Sequence, residues 1–340
     1  MKKALSDVGE FGLISMIDDL LSKEGPSAGS LEVGIGDDSA CFIPKQGFQI
    51  LITCDSMVEG RHFLSNLFTP IELGRRAMTI NISDIGAMGG LPVYAVISLG
   101  LKNSMAVEDI MEIYRGFLRE LHPFRASIVG GNIASSPDAF FIDITLIGEV
   151  KEGRLVRRST AKIGDVVFVT GYPGEAAAGL NLLINSSPPG SIKNSRLVRA
   201  YKNPAHRAFE GKALADSGYL SSMIDISDGF LGDLGHICDE SHVGAEIFRE
   251  ELPLSDSMRR EAESSGVDPY DFVLGESDDY ELIITCAPEN AHLVRSVFNA
   301  FENTHLSEVG RIVESSLGIR IINPDSTIER IKPSGWDHFK

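Results

Sequence analysis

Apolar and polar positions alternate along the chain with two periods, and these periods predict helices interleaved with strands. Near the N-terminus, Phe11, Ile14, Ile17 and Leu21 recur at intervals of three or four residues. Because residues at this spacing share one face of a helix, they predict an amphipathic helix over 9–22 whose apolar face packs on the core.

Between residues 30 and 150 the pattern predicts a mixed sheet with two helices. Residues 69–90 begin with Thr-Pro, are apolar on most sides and end at paired glycines, which predicts a buried helix. Residues 105–122 have the spacing of an amphipathic helix. Runs of β-branched and other apolar residues predict strands at about 31–43, 48–55, 91–101, 126–132 and 139–150.

A polar and basic stretch over 151–165 precedes a second alternation of strands and helices, which predicts two domains, 1–150 and 151–340. Residues 186–195 are rich in Pro, Gly and Ser, which predicts a long loop. The alternation predicts an α/β or α+β fold in both domains. The remaining strands are predicted at 165–171, 222–227, 280–287, 307–313 and 317–322, and the helices at 175–185, 203–218, 228–241 and 289–301.

The charge of the chain narrows its possible partners. The 340 residues include 48 acidic and 31 basic side chains, which gives a net charge of −17. We expect neither nucleic acid nor an anionic membrane surface as a partner, because both require a basic surface. A strongly acidic chain can still bind phosphates when divalent cations supply the positive charge.

The distribution of apolar residues and cysteines predicts a cytoplasmic protein. No apolar run approaches the roughly 18 residues of a membrane span, and acidic residues interrupt the apolar N-terminal stretch, so we expect neither a membrane helix nor a signal peptide. Cys41, Cys54, Cys238 and Cys286 form no C-x-x-C pair and lie among apolar neighbours, which predicts buried thiols in a reducing compartment.

The candidate chemistry lies in five segments where carboxylates adjoin glycines or interrupt apolar runs. One Asp-Gly pair alone is typical of an ordinary turn. Asp225, however, lies within an apolar strand, and Asp84 shares a helix face with Ala77, Asn81 and Met88, where a carboxylate is costly unless it is paired or binds a cation. The segments are VGIGDDSACFIP (33–44), TCDSMVEG (53–60), NISDIGAMGG (81–90), IDISDGFLGD (224–233) and GESDDYEL (275–282).

The donor types in these segments favour magnesium over zinc. They are hard oxygens without a histidine pair or a cysteine pair, and such ligands suit Mg²⁺ that bridges to substrate phosphates. The helix start at Ser227-Asp228-Gly229 is expected to offer unpaired N–H groups to an anion. Neither a P-loop nor G-x-G-x-x-G is present. Residue types alone therefore predict magnesium-dependent chemistry on a phosphorylated, nucleotide-linked substrate.

Ten motifs, taken together and in order, resemble the thiamine-monophosphate kinase family over nearly the whole chain. Each motif is weak alone, and the ordered set is specific. EGRHF and GWDHF favour this family over other members of the aminoimidazole ribonucleotide synthetase-like superfamily. The motifs are GEFGLI, GIGDDSA, TCDSMVEGRHF, NISDIGAMGG, VGGN, RSTAKIGD, VTGYPGEAAAGL, IDISDGFLGDLGHI, DDYEL and GWDHF.

The resemblance implies a fold, an assembly and a reaction. The fold would be the two-domain aminoimidazole ribonucleotide synthetase-like fold, with N-terminal strands that pair across a homodimer. The reaction would transfer the γ-phosphoryl group of ATP to thiamine monophosphate with Mg²⁺ and yield thiamine diphosphate. Two alternatives stay open at this point: another ATP-using member of the superfamily, and a catalytically silent nucleotide-binding regulator.

The resemblance also implies roles for individual residues, each carried over by motif. The metal ligands would come from both domains, the nucleotide would meet a glycine-rich strand end and an arginine, and three residues would hold thiamine monophosphate. The implied metal ligands are Asp38, Thr53, Cys54 through its backbone, Asp55, Asp84, Asn132, Asp225 and Asp228; the nucleotide-binding residues are Tyr114, Gly131, Asn132, Arg158 and Ser227; and the substrate-binding residues are His62, Asp278 and Trp336.

Three positions depart from the family pattern. Asn132 stands where an acid is common, so its amide oxygen would coordinate magnesium without a charge. Asp278 is shorter than the expected Glu, and Trp336 replaces an expected Tyr. Structural alternatives remain for two of these residues and for Arg158: Asn132 as a turn cap, Trp336 as packing for the tail, and Arg158 as an ordinary surface arginine.

Overall fold

The computed structural model describes residues 3–26, 30–186, 195–302 and 304–331. The chain divides into two compact units, the first within 1–85 and 90–152 and the second within 86–89 and from 153 onward. Both units combine helices with a sheet, so the predicted mixed α/β class is confirmed. Within the described residues, no helix is both long enough and apolar enough to cross a membrane.

The first unit is built on a four-stranded sheet in the order β3-β6-β4-β5. The β4/β5 pair is parallel and the other two pairs are antiparallel. A separate ribbon pairs β1 with β2. The elements in chain order are α1 (Leu5–Glu24), β1 (Leu31–Val33), β2 (Cys41–Phe42), β3 (Phe48–Val58), α2 (Pro70–Ala87), β4 (Leu91–Leu101), α3 (Val107–Leu121), β5 (Ser127–Ser135) and β6 (Phe141–Lys151).

One face of this sheet is buried and the other is open. Along β6, alternate residues from Ile142 to Val150 are buried and their neighbours are half-buried, as expected for a strand with one covered face. On β3 the same alternation leaves Ile50 and Ile52 exposed, Ile52 by 70%. Helices α2 and α3 pack closely, since a side chain at Gly74 would collide with the carbonyl of Ile113.

Two predictions for the N-terminal region are wrong in detail. The strand predicted over 31–43 is interrupted, because residues 34–40 form an exposed loop between β1 and β2. Helix α1 begins earlier than predicted and is kinked at Gly9 (φ +66°). The kink and the actual packing bury Leu13, Ile17 and Leu20, whereas Phe11 is 83% exposed.

The second unit contains a seven-stranded mixed sheet in the order β13-β12-β9-β11-β7-β10-β8. Only the β9/β12 pair is parallel among the pairs of this sheet in the described residues. The elements are β7 (Val166–Thr170), α4 (Glu175–Asn185), α5 (Arg196–Lys202), α6 (Ala208–Ser217), β8 (Ser222–Asp225), α7 (Phe230–Ser241), β9 (Val243–Phe248), α8 (Asp256–Ser265), α9 (Pro269–Leu274), β10 (Leu282–Cys286), α10 (Ala291–Phe298), β11 (Leu306–Glu314), β12 (Ile319–Ile322) and β13 (Ile328–Ile331).

Both faces of the central strands of this sheet are covered by apolar side chains. Val167 and Val169 of β7 belong to one core cluster and Phe168 to another, because successive residues of a strand point to opposite faces. Ile283 and Ile284 of β10 divide between the clusters in the same way. Ile224 and Met223 of β8, the edge strand, divide between the clusters in the same way, so β8 and β10 are packed on both faces. The ends of these two strands carry the candidate site residues.

The sequence pattern missed several short elements of the second unit and misplaced two cysteines. Helices α5, α8 and α9 and strands β9 and β13 are not predicted, because most are short and strands of four to six residues carry little periodicity. The predicted burial is correct for Cys238 and Cys286 and wrong for Cys41 and Cys54, which are exposed. Most of the predicted loop over 186–195 lies outside the described residues.

Candidate active site

In the first unit, strand β3 and helix α2 bring oxygen donors together. Thr53 and Asp55 are two residues apart on β3 and so point to one side, and Asn81 and Asp84 are three apart on α2 and share a helix face. The Thr53 hydroxyl donates a hydrogen bond to Asp84 Oδ2. The Asp55 N–H donates to Asn81 Oδ1 at 3.2 Å. The Thr53 and Asp84 side chains are therefore in contact, and the backbone of β3 at Asp55 is bonded to α2.

Asn81 fixes this arrangement. Its side chain is 1% exposed, and its Nδ2 donates to the carbonyl of Ala77 at 3.1 Å. One end of the amide therefore binds its own helix while the other end holds the backbone of β3. The residue types offered by these two elements are a hydroxyl from Thr53 and carboxylates from Asp55 and Asp84, hard oxygen donors of the kind that Mg²⁺ prefers. The residues present in the first unit thus fit a magnesium ion by their chemistry.

Three more predicted ligands of the first unit occupy exposed positions. Asp38 lies in the exposed loop between β1 and β2, and its N–H donates to Asp37 Oδ1 at 2.8 Å. Cys54 follows Thr53 on β3, and its thiol donates to Asp143 Oδ1 at 3.5 Å. Asn132 is exposed on β5, opposite Ser98 of β4.

The packing of the first unit explains why position 131 is a glycine and why position 114 is a buried aromatic residue. A side chain at Gly131 would collide with the carbonyl oxygen of Ile97, so the close pairing of β5 with β4 requires glycine there. The ring of Tyr114 is 4% exposed and packs edge-on against Phe117 with centroids 5.3 Å apart. Burial raises the pKa of the Tyr114 hydroxyl. The nucleotide-binding roles implied for both residues stay predictions.

His62 has one ring nitrogen committed to the fold. Its Nδ1 accepts the N–H of Val58 at 3.0 Å, at the end of β3. In the neutral ring the proton therefore lies on Nε2, which is the nitrogen able to donate to an anionic ligand.

In the second unit, Asp225, Ser227 and Asp228 follow one another at the end of β8. Asp225 is the last residue of the strand and is buried, whereas Ser227 is exposed and Asp228 is half-buried before α7 begins at Phe230. The N–H groups of Ser227 and Asp228 both donate to Asp233 Oδ2, at 2.9 and 3.0 Å. The prediction that this helix start offers unpaired N–H groups is therefore wrong at these two residues.

Asp233 is a buried acid that sequence analysis did not single out as a site residue. Burial raises the pKa of its carboxyl to about 7, the charge of Asp228 acts in the same direction, and the N–H donors oppose the shift. Asp228, Asp233 and His236 each place a ligand atom within 4.8 Å of the others. The signal in the sequence is the spacing, since Asp233 comes one helical turn after the SDG loop.

Asp278 is half-buried and lies within the segment 277–286, whose other residues are buried. Asp279 Oδ2 and Oδ1 accept the N–H groups of Gly174 and Ala176 at 2.6 and 2.8 Å, and Ser277 Oγ accepts that of Ala177 at 3.1 Å. Two side chains beside Asp278 therefore cap the N-terminus of α4.

The remaining predicted residues are Arg158 and Trp336. Arg158 is exposed in a short 3-10 helix, Arg158–Thr160, and its carbonyl accepts a hydrogen bond from the Ser241 hydroxyl at 2.9 Å. Trp336 lies outside the described residues.

We expect Asp279 to make stability depend on pH. Burial raises the pKa of its carboxyl to about 7 in the folded chain, against about 3.9 when unfolded. The folded state therefore binds the proton more tightly, and the free energy of unfolding falls as pH rises from about 4 to 7. Asp279→Asn cannot titrate and should make this dependence shallower, with the raised pKa of Asp233 supplying the remainder, as measured by urea unfolding across that range.

Ser277→Ala is the matched control for this measurement, because it alters the same cap and removes no titrating group. Because the Ser277 hydroxyl lowers the pKa of Asp279, this variant should keep the fall in the free energy of unfolding and extend it to higher pH. An Asp279→Asn curve parallel to the wild-type curve would contradict the assignment.

Comparisons with known proteins agree with the two-unit architecture. Residues 36–150 match the family AIR synthase related protein, N-terminal domain, and residues 162–322 match the corresponding C-terminal domain. Thiamine-monophosphate kinase of Aquifex aeolicus (strain VF5) is 33% identical over 335 residues, 98% of this chain and 99% of that protein. The enzyme of the same name from Bacillus subtilis (strain 168) is 31% identical over 92% of this chain and 94% of its own.

Solved structures show the same similarity. A complex described as AaThiL with AMPPCP and TMP superposes with a TM-score of 0.74 at 33% identity and covers 98% of both chains. Thiamine-monophosphate kinase from Stenotrophomonas maltophilia K279a gives a TM-score of 0.78 at 27% identity, over 92% of this chain and 96% of that one. The hydrogenase maturation protein HypE in complex with ATP, at 18% identity and a TM-score of 0.76, shares the fold.

Proposed function

The chain belongs to the thiamine-monophosphate kinase family of AIR synthase related proteins, and we propose that it phosphorylates thiamine monophosphate with ATP to give thiamine diphosphate. The observation that carries this assignment is the nearly full-length similarity to thiamine-monophosphate kinases, one of them solved with an ATP analogue and TMP. The oxygen donors gathered by β3 and α2 fit the magnesium chemistry that this reaction needs.

The chemistry explains why the candidate residues are mainly acids. Phosphoryl transfer has a loose transition state, so positioning and charge neutralisation contribute more than a protein base. The acceptor is a phosphate oxygen already ionised near neutral pH, which removes the need for general-base catalysis. Both substrates are anionic, and bound magnesium supplies the positive charge that offsets their repulsion.

In the first unit, Thr53, Asp55 and Asp84 would hold magnesium with the exposed Asp38. Cys54 would contribute through its backbone, and Asn132 would add a neutral amide oxygen. Asn81 holds the β3 backbone at Asp55, so the donors of the strand and the helix keep their spacing. Gly131 and Tyr114 would contact the nucleotide.

In the second unit, Asp225 and Asp228 would hold magnesium, and Ser227 would contact the ATP phosphates. Because its N–H is donated to Asp233, Ser227 would use its hydroxyl for that contact. Arg158 is exposed and would add a bidentate donor to phosphate.

Three residues are proposed for the acceptor. His62 would donate from Nε2 to the phosphate of thiamine monophosphate, since Nδ1 accepts the Val58 N–H. Asp278 would meet the cationic part of the substrate, for which a carboxylate is suited. Trp336 would stack on a substrate ring.

The purified chain should convert thiamine monophosphate and ATP to thiamine diphosphate only when magnesium is present. The assay is chromatographic detection of thiamine diphosphate, run in parallel with aminoimidazole ribonucleotide synthetase substrates. Turnover of those substrates with thiamine monophosphate untouched would favour the other enzyme class. ATP binding without turnover of any acceptor would favour a silent regulator.

We also propose a homodimer formed through the first unit. Among the described strands β3 lies at the edge of its sheet, and its open face exposes Ile50 and Ile52. An edge strand with exposed apolar residues is suited to pairing with a second copy. Ile52→Lys should therefore shift the mass in solution from dimer toward monomer, as measured by multi-angle light scattering.

Ile163→Lys provides the matched control, because Ile163 is similarly exposed, at 62% against 70% for Ile52, and belongs to the second unit. It should leave the mass unchanged. A wild-type chain that runs as a monomer at micromolar concentration would refute the dimer.

We place the reaction in the cytoplasm, where ATP is abundant. The exposed thiols of Cys41 and Cys54 suit a reducing compartment.

A further inference from the structure

We propose that Asp233 is a positioning residue of the phosphoryl-transfer site, which fixes the Ser227–Asp228 backbone and does not bind metal. This inference rests on the proposed function, and it concerns a residue to which the family resemblance assigns no role. The observation behind it is the set of hydrogen bonds that converge on one carboxylate oxygen.

Asp233 lies in the first turn of α7 and reaches back over the loop that precedes the helix. Its Oδ2 accepts the N–H groups of Ser227 and Asp228 at 2.9 and 3.0 Å. Its own N–H donates to the carbonyl of Gly229 at 3.0 Å. The side chain is 2% exposed, so these bonds are shielded from water and correspondingly costly to lose.

The preceding residue is fixed from the other side. The Ile226 N–H donates to the Glu281 carbonyl at 2.8 Å, and the Ile226 carbonyl accepts the Tyr280 N–H at 2.8 Å. The N–H groups of Ile226, Ser227 and Asp228 are therefore all bonded within the unit. The loop is thus held in one conformation, with Ser227 exposed and Asp228 half-buried.

The hydrogen bonds of Asp233 favour a positioning role for this residue over a role as a metal ligand. Asp228, Asp233 and His236 lie close enough to suggest a cation site. However, one oxygen of Asp233 already accepts two backbone hydrogen bonds, and its side chain is buried while His236 is exposed. Because both bonds end on the same oxygen, an amide oxygen at that position can also accept both of them. A metal ligand would instead lose most of its attraction to the cation together with the negative charge.

The test compares Asp233→Asn, Asp233→Glu and Asp233→Ala. The Asn variant keeps the accepting oxygen and removes the charge, whereas the Glu variant keeps the charge and displaces the oxygen by one methylene group. Positioning predicts that the Ala and Glu variants raise the KM for ATP and the half-saturating magnesium concentration about tenfold, the scale of one lost hydrogen bond to a buried group. The Asn variant should recover most of this loss and stay within about threefold of wild type.

Asp165→Ala is the matched control, because Asp165 is a 3% exposed acid of the same unit that accepts the loop N–H of Lys162 at 2.8 Å. It should lower the melting temperature without changing the KM for ATP. The KM for thiamine monophosphate should stay unchanged in all of these variants, and circular dichroism records their folding.

Two results would overturn the proposal. One is an Asn variant that needs about tenfold more magnesium while the Glu variant behaves normally, which would make Asp233 a metal ligand. The other is a set of Asp233 variants that melt earlier with an unchanged KM for ATP, as Asp165→Ala should. Calorimetric titration of each variant with magnesium and AMPPCP measures nucleotide binding without turnover. A wild-type chain that binds AMPPCP but has no kinase activity would refute the proposed function and leave the role of Asp233 in nucleotide binding testable.

Discussion

Replacing Asp84 with Asn should lower kcat by about a thousandfold and leave the fold intact. A thousandfold change corresponds to about 4 kcal/mol of lost transition-state stabilisation. The expected cause is loss of a full negative charge next to the proposed magnesium, since an amide oxygen attracts a dication far less than a carboxylate does. The readout is the rate of thiamine diphosphate formation against magnesium concentration.

The contact between Asp84 and Thr53 makes this substitution a clean test. The hydroxyl of Thr53 donates to Asp84 Oδ2, and an asparagine oxygen can accept the same hydrogen bond. Folding should therefore be preserved while the charge is lost. Thr53→Val removes only the hydroxyl and should cost about tenfold, the scale of one hydrogen bond or one neutral ligand.

Asp18→Asn is the surface control, because Asp18 is exposed on α1 and its replacement removes the same charge from the same unit. Its kcat should equal that of the wild type. If Asp84→Asn also turns over normally, Asp84 is a partner of Thr53 in the fold and holds no metal.

Helical periodicity predicted one part of the donor set of the first unit, the shared face of Asn81 and Asp84, whereas Thr53 and Asp55 were implied by the family resemblance. Helical spacing places Asn81 and Asp84 on one face of α2, and strand spacing places Thr53 and Asp55 on one face of β3. Apolar residues around them predict that both elements are buried. A carboxylate among such residues is then a strong sign of a partner or a cation. The contact between Thr53 and Asp84 gives this carboxylate a partner, and its role as a magnesium ligand stays a prediction.

The hydrogen bonds that organise the second unit could not be predicted in this way. Asp279 meets the N–H groups of Gly174 and Ala176 across more than a hundred residues of sequence, and no local pattern encodes that pairing. Asp233 lies near the loop in sequence, but its side chain uses the N–H groups that were expected to bind an anion. The exposure of Phe11 could not be predicted either. The kink at Gly9 and the tertiary contacts of α1 decide which face of the helix is buried, and helical spacing alone does not reveal them.

Replacing Gly229 with Ala should give the second large effect, a combined loss of stability and of activity. Gly229 has φ +114° and ψ 152°, a region that only glycine adopts without strain of about 1–3 kcal/mol. A Cβ there would lie 2.5 Å from the carbonyl oxygen of Gly275 and 3.2 Å from Glu276 Cα. Two backbone segments must then separate, so we expect the free energy of unfolding to fall by about 3 kcal/mol.

In Gly229→Ala, the kinase activity should also fall because the substitution moves proposed ligands, and this loss is separate from the loss of stability. Gly229 directly follows Ser227 and Asp228, and the backbone it touches leads into Asp278. Moving these segments apart would displace the proposed phosphate and metal ligands on one side and the proposed acceptor residue on the other. A displacement of about 1 Å at a reacting centre costs on the order of a hundredfold in rate. We therefore expect about this loss in kcat/KM for both substrates, measured well below the melting temperature.

Gly266→Ala is the control that separates the effect of backbone strain on stability from the effect of steric contact. Gly266 also has a positive φ, +69°, and it ends α8 in the same unit, but a Cβ there would have no neighbour within 4 Å. That variant should lose about 1 kcal/mol of unfolding free energy through strain and keep its full kcat/KM. If Gly229→Ala shows only the same small loss and normal kinetics, the backbone beside Gly229 can yield without moving the ligands. The segments 227–229 and 275–278 would then act independently in catalysis.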